Sequence, residues 1–150
     1  MKTPQHDPHE LQRFVDAQLS VYDKALCEIR QGQKRSHWMW YLFPQFIGLG
    51  TSTISRRYAI RSRDEAIAYL DHPLLGPRLT SIADAVLELR GLSATAIFGS
   101  PDDLKLRSSA TLFAAVSPHA STFHRLLEQY FNGEPDPLTL ELLGRGVASN

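Results

Sequence analysis

Residues 7–32 read DPHELQRFVDAQLSVYDKALCEIRQG. Asp7 is suited to cap a helix, Pro8 fits the first helical position, and Glu10, three residues after Asp7, completes a capping box. Leu11, Phe14, Val15, Leu19, Tyr22, Leu26 and Ile29 recur at helical spacing. The stretch therefore predicts one long amphipathic helix, stopped by Gly32. Cys27 lies beside the apolar stripe and is read as packing, since no cationic helix start adjoins it.

The same punctuation continues along the chain. Ser36 is placed to cap a short helix through Phe43 that Pro44 ends. Residues 48–55 (GLGTSTIS) read as a loop. Ser62, with Glu65 three residues on, predicts a helix over 64–70, broken by His72-Pro73. Pro77 fits the first turn of a longer helix, with Leu79, Ile82, Ala83, Val86 and Leu89 facing inward and Gly91 closing it. Ser93 caps a single turn reaching Phe98, and Ser100-Pro101-Asp102-Asp103 opens a helix to about Val116. Ser117-Pro118 opens the next, with Phe123, Leu126, Leu127 and Tyr130 on one face, and Asp136-Pro137 a last short one. No segment alternates apolar and polar residues between turn signals, as a strand would. The expectation is an all-α fold: one compact multihelical domain spanning 1–150, with about six to eight helices and no significant sheet. Short flexible ends are expected at 1–7 and 144–150.

Composition narrows the function classes. A chain of 150 residues can bury roughly 68–70% of its unfolded surface and needs no staples. Lys+Arg and Asp+Glu both number 16, so the strong positive field of a non-specific nucleic-acid binder is absent and a nucleic-acid partner is not expected. The single cysteine excludes an intrachain disulfide and a Cys-based zinc cluster, and suits the cytoplasm. The first residues lack the apolar core of a signal peptide, and no run of about 18 apolar residues predicts a membrane span. GLGTST lacks the third glycine and preceding strand of a dinucleotide fingerprint, and no P-loop, HExxH or GxSxG pattern occurs. His119 and His124 are five apart, which on a helix puts them on different faces. Neither a metal nor a cofactor is expected.

Three segments are candidates for chemistry. Residues 34–45 (KRSHWMWYLFPQ) hold both tryptophans. Lys34 and Arg35 precede the expected helix start at Ser36, whose free N–H groups suit an anion; His37 follows, Trp38 or Trp40 can stack on a flat ring, and Gln45 is a further polar neighbour. The competing reading makes the aromatics core anchors and His37 a partner of a backbone carbonyl. Two tryptophans separated by one residue point to different sides of a helix, so both being core requires a central, nearly enclosed helix. In residues 102–113 (DDLKLRSSATLF), Ser108 and Thr111 share a face and Lys105 lies on the next; the face either packs tightly or lines a small polar pocket. Asp102-Asp103 read as helix-start carboxylates rather than as a catalytic pair. Arg56, Arg57, Arg61 and Arg63 form a local basic run, read either as a solvated surface or as a docking surface.

The strings KRSHWMWYLFPQ, GLG, DHPLLGPRL, IFGSPDDLKLRSSATLF and FNGEPDPLTL resemble the domain-of-unknown-function 1810 family, from about Glu10 to Leu143. The resemblance implies a small, stand-alone multihelical protein and supplies no catalytic residue. Tyr41-Leu42 and Ala110 stand where the family often has other apolar residues.

The functional expectation is a pocket for a small anionic, nucleotide-like ligand where residues 34–40 approach 105–109. Lys34, Arg35, Lys105 and the Ser36 helix start would hold the anion. His37 is the candidate acid or base, because an imidazole can change charge near neutral pH. The alternatives are a non-enzymatic helical adaptor using the arginine run, and a structural domain with no ligand site.

Overall fold

The computed structural model describes residues 6–148. Within them run ten helices: α1 (Gln12–Gln18), α2 (Tyr22–Arg30), α3 (Met39–Leu42), α4 (Thr53–Arg57), α5 (Arg63–Asp71), α6 (Leu75–Leu87), α7 (Ala94–Phe98), α8 (Asp102–Ala115), α9 (Thr122–Phe131) and α10 (Pro137–Ala148). The all-α expectation holds, and the number of helices exceeds the expected six to eight. Extended pairing among the described residues is limited to one parallel bridge, Phe46 with Ile60. Of the ends expected to be flexible, residues 1–5 and 149–150 lie outside the described residues, and α10 runs to Ala148.

The first thirty residues depart most from expectation. Asp7 does cap, with its carboxylate accepting the Leu11 amide at 2.8 Å and the Gln12 amide at 3.0 Å, but the helix starts four residues later than the capping box implied. The single apolar stripe divides into α1 and α2. α1 packs on α3, whereas α2 packs on α6, and one straight rod would not serve both partners. The break leaves Leu19 82% exposed, although its spacing had put it on the core face.

Caps explain other differences. Ser52 accepts the Ser55 amide at 3.1 Å and starts α4 inside the stretch read as a loop. Ser62 and Ser93 cap α5 and α7 as read. α9 begins at Ser121, not at Ser117-Pro118, because the Ser121 hydroxyl accepts the His124 amide. The Asp136 carboxylate accepts both the amide and the hydroxyl of Thr139 and so opens α10.

The central element is α8. Leu106 and every residue from Ser108 to Ala114 are buried, and α8 meets α5, α7, α9 and α10. Serines and a threonine are tolerated there because their hydroxyls find local acceptors: Ser108 donates to Leu104 O and Thr111 to Arg107 O. The α5–α6 corner requires a glycine. A Cβ at Gly76 would lie 2.0 Å from the Leu70 carbonyl oxygen.

Candidate functional site

The short helix expected from Ser36 to Phe43 is instead a turn followed by the one-turn helix α3. Residues 33–38 owe their path to a residue outside the segment, Glu28. Its buried carboxylate accepts the Arg35 amide at 2.8 Å, the Ser36 amide at 3.0 Å, the Ser36 hydroxyl, and the Trp38 indole N–H at 2.9 Å. Burial raises the Glu28 pKa, but these donors outweigh it and bring it down to about 2. Ser36 does not cap α3 as the sequence had suggested: the helix starts only at Met39, with Trp38 in the cap position, and the Ser36 hydroxyl donates to Glu28. The Trp38 indole is buried among Phe43 and Phe98, at ring-centroid distances of 6.3 and 6.4 Å. Trp40 is only half-buried.

Between this turn and the start of α8 lies an open cleft of about 120 Å³. Its walls are Trp38, Met39, Trp40, Tyr41 and Ile54; its polar groups are Lys34, His37, Asp102 and Lys105. Asp102, in the first turn of α8, sits between the two lysines. Its Oδ2 is 2.8 Å from Lys34 Nζ and its Oδ1 is 3.1 Å from Lys105 Nζ. Each ammonium also lies over an indole: Lys34 Nζ is 5.0 Å from the Trp38 ring centre and Lys105 Nζ 4.8 Å from that of Trp40. Burial raises the Asp102 pKa, while hydrogen bonds and charge from Lys34 and Lys105 lower it, with a net shift downward. The carboxylate is thus held ionised and the cluster carries a net charge of about +1 from two ammoniums and one carboxylate.

Five of the ten candidate residues come together here: Lys34, His37, Trp38, Trp40 and Lys105. The other five lie elsewhere. Arg35 is exposed and its guanidinium donates to Gln31 at 2.7 Å. Ser36 is held by Glu28. Gln45 is buried, 3% exposed, with its Nε2 unpartnered among the described residues. Ser108 and Thr111 lie further along α8 and fasten α10: Ser108 Oγ is 3.3 Å from Asp136 Oδ2, and Thr111 Oγ1 accepts the Asp136 amide at 2.8 Å. The sequence reading missed Glu28 and Asp102 as members of this neighbourhood. Asp102 had a local signal, its spacing of three from Lys105 on one helix. For Glu28 no spacing rule points to a turn seven to ten residues away.

Elsewhere, the His119 and His124 rings are 5.7 Å apart, because His119 precedes α9 and helical spacing does not apply to it. No group of three or more potential metal ligands forms among the described residues. None of the helices described is long and apolar enough to cross a membrane.

The molecule is thus an all-helical domain with a lysine–aspartate–tryptophan cleft formed by its Trp-rich turn and its central helix. The chain belongs to the family described as a protein of unknown function (DUF1810), whose model matches residues 8–143. It is also similar to the crystal structure of the conserved hypothetical protein Rv1873 from Mycobacterium tuberculosis. The two are 50% identical, with a TM-score of 0.90 over 92% of this chain and 99% of that one. No curated protein matches the chain.

Proposed function

We propose that this protein binds a small anionic molecule bearing a flat ring in the cleft between the 34–41 turn and the start of α8. The observation that carries the reading is the convergence of Lys34 and Lys105 on Asp102 between the chain's two indoles. The cluster's net positive charge attracts an anion, and the walls supplied by Trp40, Tyr41 and Ile54 offer apolar surface for a ring. His37 lines the same cleft and is the one candidate acid or base there if the ligand is also processed. Exposed Cys27, with no disulfide partner, suits a reducing compartment such as the cytoplasm.

A thermal-shift screen of small anions tests the reading. A ligand present at a hundred times its dissociation constant stabilises the protein by about 2.7 kcal/mol. The expected outcome is a rise in melting temperature with at least one anion, reduced in His37→Ala and abolished in Lys105→Ala. The second reading, an adaptor, is favoured by Arg56, Arg57, Arg61 and Arg63 all being exposed. It expects no response to small anions, and salt-sensitive partner binding lost in Arg57→Ala.

A further inference from the structure

Resting on that reading, we infer that the ligand class is a small planar monocarboxylate, a single ring carrying one carboxylate, and not a phosphate ester or a whole nucleotide. The inference comes from counting which donors of the cluster remain available. Lys34 is fully committed. Its Nζ donates to the Ser36 carbonyl at 2.6 Å and pairs with Asp102 at 2.8 Å, its remaining side is covered by the Trp38 indole, and its side chain is only 8% exposed. Of an ammonium's three N–H donors, two are on those oxygens and the indole closes the third side, so Lys34 presents no open donor to a ligand. Lys105 is different. Among the described residues it makes one ion pair, to Asp102, and rests against Trp40, while its side chain is 26% exposed into the cleft. It retains donor capacity, and it is the one lysine of the pair that does; the His37 ring is the cleft's other polar group beside it.

Charge and volume agree with that count. Two ammoniums and one carboxylate leave about one positive charge, which a monoanion neutralises. A phosphate monoester brings nearly two negative charges at neutral pH, needs several donors, and would stand against Asp102, which is held ionised. The open cleft, at about 120 Å³, lies far below the roughly 300 Å³ where pockets for drug-sized ligands begin. It accepts one ring or part of one, with the remainder in solvent. Trp40, beside the available ammonium, is the surface on which that ring would lie.

The test is a titration followed by intrinsic fluorescence, since both tryptophans of the chain border the cleft. The probes are benzoate, inorganic phosphate and adenosine monophosphate at constant ionic strength. Benzoate is expected to give a saturable change at least tenfold tighter than either phosphate compound. Lys105→Gln should weaken benzoate at least tenfold, whereas Lys105→Arg, which keeps the charge and a donor, should retain most of the affinity. Phosphate or adenosine monophosphate binding as tightly as benzoate, with the Lys105 dependence intact, overturns the monocarboxylate inference and leaves the anion site standing. No saturable change with any of the three overturns both. Benzoate binding undiminished in Lys105→Gln overturns the inference by showing that the ammonium is not its anchor.

Discussion

Two of the ion clusters among the described residues, Arg13–Glu65 and Lys34–Asp102–Lys105, pair cations with carboxylates and differ in what each has left over. Arg13 and Glu65 form a buried pair at 2.7 Å. Every donor of the Arg13 guanidinium is used: Nε on Arg57 O, Nη1 on His9 O and Glu10 O, and Nη2 on Ala59 O and Glu65 Oε2, all between 2.7 and 2.9 Å. Glu65 accepts the Arg61 amide with its other oxygen at 3.1 Å. Nothing in that cluster is open to solvent or to a ligand. The Lys34–Asp102–Lys105 cluster is built at the lip of a cleft, and Lys105 keeps unused donors. Saturation leaves a charge cluster only an architectural part to play, whereas an unspent donor facing a cleft is what the proposed anion site rests on.

The comparison can be broken most severely at the saturated end. Glu65→Ala leaves a guanidinium buried without its counter-charge, and removing one partner of a buried pair costs about 3–5 kcal/mol. Denaturant unfolding is expected to show a loss of that size; a loss below about 1 kcal/mol would mean that the pair is as dispensable as a surface bridge.

Glu28 comes next. Its folded-state pKa of about 2 lies below the ordinary 4.5. A depressed carboxylate stabilises the fold above its unfolded-state pKa and loses that contribution as pH falls through the folded value. Acid unfolding of the wild type should therefore steepen between about pH 4.5 and 2, with the Trp38 near-ultraviolet dichroism lost in the same range. In Glu28→Gln that component of the pH dependence should be missing, because the amide does not titrate there.

The smallest stability effect is expected at the open end. Lys105→Gln removes a partly exposed bridge while Asp102 keeps Lys34, and bridges open to solvent contribute about 0.2–1 kcal/mol. Its melting temperature should stay within a few degrees of wild type, and salt should narrow the gap further. A drop as large as that of Glu65→Ala would erase the distinction between the two clusters.

The helical character of the chain is plain in its sequence because caps and prolines are local: Ser62, Ser93 and Asp136 act where they stand. The lysines and tryptophans of the cleft were legible for a related reason, since they concentrate charge and rare aromatics in two short segments. What could not be read was competition. Ser36 looks like a cap until Glu28 binds the turn around it and the helix starts only at Met39, and the stripe through Leu19 looks continuous until α1 and α2 choose different partners. Gln45, Ser108 and Thr111 have the polarity of site residues, but whether they face a cleft or a neighbouring helix depends on packing that spacing alone does not encode.

The bonds of Arg13 also have a bearing on time. Three of its five acceptors lie 44, 46 and 52 residues further along the chain. None of them is within reach until the chain between has closed a long loop, and that entropy must be spent before the contacts return anything. An arginine in the first described helix thus has its lasting partners only after the α4–α5 corner exists. The guanidinium exchanges water for these three acceptors only when that loop has closed.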